Sequence, residues 1–242
     1  MSLICASAQD RTFIDRVYET SLGQHLPYRV IYPENFDPGR KYPLVLFLHG
    51  SGERGRDGRM QTKHGESLFL SDAFKDVLFV APQCPKEDFW VLKEDTPAGY
   101  ESFPYDAPPS VSAFGVKELL DSMISLGFVD ESALYCTGLS MGAYGTWDLM
   151  LRYPDLFAAV QPICGGVNID RLKEYKGKTA IRIFHGLEDD IVPPEFSLEA
   201  YEALKSIGAD VSMITYPGVR HNSWDNAFAE PDFVTWFFRY RR

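Results

Sequence analysis

No run of apolar residues in this 242-residue chain approaches the length of a membrane-spanning helix, and the four cysteines, Cys5, Cys84, Cys136 and Cys164, lie far apart with no Cys-x-x-Cys pair. The first absence leaves no candidate for a transmembrane helix. The second suggests neither a zinc site nor a disulfide framework, so the cysteines are read as buried thiols. A basic surplus is also missing. Lys and Arg number 24 against 34 Asp and Glu, a formal net charge of −10. Such a surface repels polyanions, so neither nucleic acid nor an anionic membrane is an expected partner, and neutral or small substrates are favoured. The opening Met1-Ser2-Leu3-Ile4-Cys5-Ala6 has neither the basic start nor the long apolar middle of a secretion signal, so a cytoplasmic location is expected. There is no internal repeat, low-complexity tract or inter-domain linker. With 45% hydrophobic residues the chain can bury a substantial core, and a single domain spanning 1–242 is expected.

What is present is an alternation of short apolar runs with segments of helical period. Strands are expected near residues 12–19, 26–32, 44–48, 77–81, 133–137, 157–163, 180–184 and 211–215. Leu44-Val45-Leu46-Phe47-Leu48 and Val77-Leu78-Phe79-Val80-Ala81 are apolar throughout, as in strands covered on both faces. Helices are expected over 111–126, stopped by Gly127, over 141–153, ended by Tyr153-Pro154, over 194–207, closed by Gly208, and after Pro231. The alternation implies an α/β fold: a mostly parallel eight-stranded sheet with helices on both faces and antiparallel strands at its start.

Directly between a strand and a helix stands Gly138-Leu139-Ser140-Met141-Gly142, which reads as a nucleophile elbow. A serine hydroxyl is a poor nucleophile. A turn too tight for side chains at its flanks holds that hydroxyl clear of the backbone, where a histidine can reach its proton. An acid and a histidine should then follow at the carboxyl ends of later strands, where an open α/β sheet forms its crevice. After the seventh strand comes His185-Gly186-Leu187-Glu188-Asp189-Asp190, with three adjacent carboxylates, one of which should be the acid. After the eighth strand comes Tyr216-Pro217-Gly218-Val219-Arg220-His221, whose His221 is the only histidine beyond that acid and so the base. Acyl transfer also needs backbone N–H groups aimed at the developing oxyanion. Met141 at the elbow and Ser51, or alternatively Gly52, in His49-Gly50-Ser51-Gly52 are the candidates. His49 and His185, each before a glycine at a strand end, are read as packing and loop-bonding residues.

The blocks His49-Gly-Ser-Gly-Glu-Arg-Gly55, Ala81-Pro-Gln-Cys-Pro85, Gly138-Leu-Ser-Met-Gly-Ala-Tyr-Gly-Thr-Trp-Asp148, Pro162-Ile-Cys-Gly-Gly166, His185-Gly-Leu-Glu-Asp-Asp-Ile-Val-Pro193 and Tyr216-Pro-Gly-Val-Arg-His221 resemble the bacterial carboxylesterase/phospholipase branch of the α/β-hydrolases, which includes feruloyl-esterase-like enzymes. The resemblance runs from about residue 26 to the C-terminus. It implies Ser140 as nucleophile, His221 as base and, by its place after His-Gly and two variable residues, Asp189 as acid. Two positions depart from the family pattern. Ala143 stands where many relatives have a third glycine, and Arg220 replaces a common glycine before the histidine. The latter puts a cation beside the base, able to disfavour its protonation or to pair with an acidic group of a substrate. Chemistry of this kind needs neither a metal nor an organic cofactor.

Residues 82–110 have little periodicity, five prolines from Pro85 to Pro109, and the aromatics Phe89, Trp90, Tyr100, Phe103 and Tyr105. Loops of this length are usually functional. This one is expected to cover the crevice, with Trp90 and Trp224 lining an acyl or aryl pocket. Such a site suits short-chain acyl or hydroxycinnamoyl-type esters. A thioesterase or deacylase would use the same residues, and a non-catalytic binding module could occupy the same scaffold. A peptidase is less expected, because relatives with that activity carry an extra domain for which this chain has no room.

Overall fold

The computed structural model describes residues 11–92 and 106–242. Cys5, Tyr100, Phe103 and Tyr105, and with them the middle of the expected covering loop, fall outside the described residues. Eight strands form one sheet among the described residues: β1 (Ile14–Glu19), β2 (His25–Ile31), β3 (Tyr42–Leu48), β4 (Leu78–Pro82), β5 (Val129–Leu139), β6 (Ala159–Ile163), β7 (Ala180–Gly186) and β8 (Val211–Tyr216). The spatial order is β1-β2-β4-β3-β5-β6-β7-β8. β1 and β2 run antiparallel to each other, as do β2 and β4, and every pair from β4 to β8 is parallel. The helices are α1 (Glu66–Phe69), α2 (Val111–Ser125), α3 (Met141–Arg152), α4 (Glu195–Ser206), α5 (Trp224–Phe228) and α6 (Phe233–Phe237).

The continuous apolar runs are strands with two buried faces, because successive side chains point to opposite sides of a sheet. Leu44, Leu46 and Leu48 of β3 enter one core with Val116, Leu119 and Leu120 of α2 and Leu149 of α3. Val45 and Phe47 enter the other with Phe69, Phe74, Phe233 and Phe237. α2 begins where the Ser110 hydroxyl accepts from the Ala113 N–H at 3.0 Å, a helix cap. On α3, the buried Asp148 carboxylate binds Arg152 at 2.9 Å and also Arg171, tying the helix to the turn after β6.

β5 starts at Val129, four residues before its expected beginning, because Val129 pairs with Tyr42 across a register irregularity. The intervening Asp130-Glu131-Ser132 hides this from an apolar-run reading. Residues 51–74 contain short 3-10 and helical turns that the sequence pattern does not announce, and α5 is likewise unanticipated. In-register pairing of Leu48 with Gly138, and of Leu139 with Ile163, brings the carboxyl ends of β3, β5 and β6 level. Their following loops therefore meet at one rim.

Candidate active site

At that rim Ser140 adopts φ 52° and ψ −118°, a left-handed conformation that a side chain tolerates poorly. It is fixed by its own N–H, which donates to the Ile163 carbonyl at 2.9 Å, and by its carbonyl, which accepts from Ala143 N–H at 2.9 Å. Both flanking glycines are steric requirements. A Cβ on Gly142 would lie 1.9 Å from the Leu48 carbonyl oxygen, and one on Gly138 would lie 2.3 Å from that of Gly142.

The Ser140 hydroxyl lies 2.9 Å from His221 Nε2, and His221 Nδ1 lies 2.8 Å from Asp189 Oδ2. With Nδ1 facing a carboxylate, the ring holds its hydrogen there and leaves Nε2 free to accept from the serine. Of the three adjacent carboxylates only Asp189 turns inward, and Glu188 and Asp190 are exposed. The acid loop is closed by the Ile191 and Val192 N–H groups, each donating to Asp189 Oδ1 at 2.9 Å. Burial alone would raise the pKa of Asp189, but hydrogen bonds from His185, His221, Val192 and Ile191 outweigh it and hold the carboxyl well below the usual range. Gly186 admits the base loop, since a Cβ there would stand 2.3 Å from the Val219 carbonyl oxygen. Arg220 does not point at the base. Its guanidinium pairs with Asp190 at 3.4 Å on the surface, with both side chains more than half exposed.

Ser51 opens a 3-10 turn over Ser51–Glu53, and Met141 is the first residue of α3. Neither N–H has a protein acceptor among the described residues, so both remain available to an oxyanion. The Ser51 loop is braced from behind. His49, fully buried, places Nδ1 2.6 Å from the Gly50 carbonyl and accepts from the Cys84 N–H on Nε2 at 2.9 Å. Burial lowers its pKa to about 4, so the ring is neutral. Trp90 donates Nε1–H to the His49 carbonyl at 2.9 Å. The expectation that Trp90 lines the pocket is therefore corrected. It is 1% exposed, packed edge-on against His49 and close against Gly145 of α3, and it supports the loop instead.

Trp224 is half-buried, with its ring edge-on to His221 at 5.5 Å and tilted against His64 at 5.0 Å. His64 Nε2 in turn lies 3.3 Å from the carboxylate of the buried Glu53. His64 and Glu53 escaped the sequence reading because the segment holding them has no strand or helix period. The one available signal was the place of Glu53 inside the His49–Gly55 block. Cys164, Asp189 and His221 also bring three metal-ligating atoms within 4.8 Å of one another. Asp189 and His221 already bind each other there, and burial pushes the Cys164 thiol up, away from the thiolate that a metal needs. The donor set thus fits a proton relay better than a metal centre. Cys84 and Cys136 are buried free thiols.

The phospholipase/carboxylesterase family matches residues 38–231. Acyl-protein thioesterase 1 of Gibberella zeae is 46% identical over 205 residues, covering 74% of this chain and 83% of that protein. A crystallised thermostable esterase superposes with TM-score 0.86 at 31% identity over 95% of this chain, which spans 63% of that esterase's length. A ferulic acid esterase of Anaeromyces mucronatus, solved with ferulic acid, shares the fold at TM-score 0.68 and 17% identity, covering 93% of this chain and 89% of that one. Among the described residues no helix is long and apolar enough to cross a membrane.

Proposed function

Since the chain belongs to the phospholipase/carboxylesterase family of α/β-hydrolases, we propose that it is a serine carboxylesterase that cleaves short-chain acyl or hydroxycinnamoyl-type esters through an acyl-enzyme. The observation that carries this reading is the unbroken relay Ser140–His221–Asp189, at 2.9 and 2.8 Å, on a strained elbow beside two unengaged N–H groups. In it, Ser140 attacks the ester carbonyl as His221 Nε2 takes its proton. The Ser51 and Met141 N–H groups receive the oxyanion, and Asp189 holds the imidazolium that forms. His221 passes its proton to the departing alcohol. Water then gives a proton to His221 and attacks the acyl group, and His221 returns that proton to Ser140 Oγ as the acid leaves. In this reading the chain is a single domain, 1–242, and the residues needed lie between positions 51 and 221.

Support for an aryl or short acyl group comes from the half-buried face of Trp224 beside His221. Comparing turnover of methyl ferulate with acetyl, butyryl and octanoyl esters tests it, and a clear preference for octanoyl rejects it. The Ser140→Ala variant should lose about four to six orders of magnitude in kcat on p-nitrophenyl esters. A variant that keeps wild-type turnover would end the reading. A thioesterase activity on the same residues is the second reading, favoured by the thioesterase of Gibberella zeae among the relatives. Competition between p-nitrophenyl butyrate and an acyl thioester separates the two. Labelling of Ser140 by a fluorophosphonate separates both from a non-catalytic module.

A further inference from the structure

We propose that His185 is a positioning residue of the relay: it donates to the carboxylate oxygen that holds His221 and thereby sets the pH at which His221 becomes free to take the Ser140 proton. The proposal rests on the serine-relay reading above and goes beyond it, because His185 touches neither Ser140 nor a substrate.

His185 closes β7 and is fully buried. Its Nε2 lies 3.1 Å from Asp189 Oδ2 and 3.0 Å from the Val192 carbonyl oxygen. Both neighbours are acceptors, so this nitrogen carries a hydrogen whatever the rest of the ring does. On the other side, Nδ1 lies 2.7 Å from Ser197 Oγ, and the Ser197 hydroxyl is placed to donate to the Gly165 carbonyl at 2.9 Å. If the hydroxyl points to Gly165, Nδ1 also donates. If it turns to His185, Nδ1 accepts. Asp189 receives the same N–H in either arrangement. His49, the other histidine before a glycine at a strand end, differs in kind: its Nε2 accepts from a backbone N–H and it faces no carboxylate.

Asp189 Oδ2 is thus shared by two histidines, His221 at 2.8 Å and His185 at 3.1 Å. Each donor draws charge from the carboxylate, and a carboxylate with its charge drawn off holds an imidazolium less tightly. Removing the His185 hydrogen leaves Asp189 a stronger partner for protonated His221. His221 then keeps its proton to higher pH and is unavailable as a base there. Other groups face this pair from α3, the end of β6 and the loop before α5. Tyr144 of α3 and Cys164 after β6 are held neutral by burial, which raises both. Ser223, before α5, is uncharged, and Arg220 is paired with Asp190. His64, paired with Glu53, packs against Trp224 and is the same in every variant below.

The test is the rate of Ser140 labelling by a fluorophosphonate between pH 5 and 9 in the wild type, His185→Phe, His185→Gln and Ser197→Ala. In His185→Phe, the acid limb should move up by about half to one pH unit, and labelling below it should fall by about three- to tenfold. His185→Gln, whose amide can keep an N–H where Nε2 stood, should bring the limb back to within about 0.2 units of the wild type. Ser197→Ala frees the ring on its far side and should move the limb the same way as His185→Phe, by less. A limb that stays at the wild-type pH in His185→Phe overturns the proposal, however much rate is lost, as does a Gln variant that behaves like Phe. If His185→Phe does not fold, an unmoved limb in Ser197→Ala overturns it. The probe reports activation of Ser140 without any substrate. Absence of ester turnover in the wild type would therefore sink the proposed function while leaving the role of His185 measurable.

Discussion

Replacing Asp189 by asparagine alters one atom and tests every neighbour of the carboxylate. All four groups around it are donors: His221 Nδ1 at 2.8 Å and His185 Nε2 at 3.1 Å on Oδ2, and the Ile191 and Val192 N–H groups at 2.9 Å on Oδ1. An amide must turn its NH2 to one pair or the other. Turned to the loop, it meets two N–H groups with no acceptor between them, at about 1–3 kcal/mol for each buried donor left unmatched. Turned to the histidines, it meets the His185 N–H, which keeps the Val192 carbonyl at 3.0 Å as acceptor, and it donates to His221 Nδ1, fixing that ring with its hydrogen on Nε2, the atom that must accept from Ser140. The second arrangement keeps the loop intact and disables the base. A relay locked in the wrong tautomer loses about four orders of magnitude in kcat, or about 5 kcal/mol of transition-state stabilisation. KM should change little, because Asp189 is buried and touches no substrate. The assay is kcat and KM on p-nitrophenyl butyrate, with circular dichroism to confirm the fold. An Asp189→Asn variant that keeps more than about a tenth of the wild-type kcat would refute the reasoning.

Three further outcomes follow from the same geometry. His49 is neutral when folded, with its pKa lowered by burial to about 4 from 6.5. Between those values the unfolded chain binds a proton that the folded one refuses, so stability falls as pH drops, by about 1.4 kcal/mol per unit and about 3 kcal/mol in all; urea denaturation at pH 7 and 4.5 should show this, and His49→Gln should lose that part of the slope. Asp148→Ala strands the Arg171 and Arg152 guanidinium groups that its buried carboxylate neutralises, and should cost about 3–5 kcal/mol in urea denaturation; a loss below about 1 kcal/mol would count against that network. Trp90→Phe, which removes the hydrogen bond to the His49 carbonyl, should lower kcat and melting temperature with KM nearly constant, whereas Trp224→Ala should raise KM for aryl esters; the reverse pattern would return Trp90 to the pocket.

The sheet was legible because its central strands are buried on both faces and therefore apolar at every position, as in Leu44–Leu48. The relay was legible because its members follow strand ends in a fixed order, and strand ends converge. Which of Glu188, Asp189 and Asp190 serves was not legible from the residues alone. Three adjacent carboxylates have the same chemistry, and only the turn closed by the Ile191 and Val192 N–H groups decides which one points inward. Trp90 failed for a related reason. An aromatic residue in an irregular loop has the same composition signal whether it faces a pocket or braces a backbone, and the partner that orients this indole, the His49 carbonyl, lies 41 residues away. Residues 51–74 stayed opaque because turns of three or four residues bury single side chains without producing a period.

Register decides whether this site exists. Leu48 pairs with Gly138, and Gly138 with Pro162, so the Leu48 carbonyl stands where a Cβ on Gly142 would collide at 1.9 Å and the Ile163 carbonyl stands where Ser140 N–H needs an acceptor. A one-residue slip of β5 would turn every side chain of that strand to the opposite face. It would also bring Leu139 or Met141, both with side chains, into spaces that accept only glycine. The strained φ of Ser140 is therefore held by the whole central sheet and not by the elbow's own five residues. The same register sets the division between wet and dry. Ser140, His221 and Trp224 are half-buried at the rim, while Asp189, His185 and His49 are sealed behind them. Water at Asp189 would compete for Oδ2 and loosen the hold on His221. With water kept out, hydrogen bonds from the protein alone orient the base.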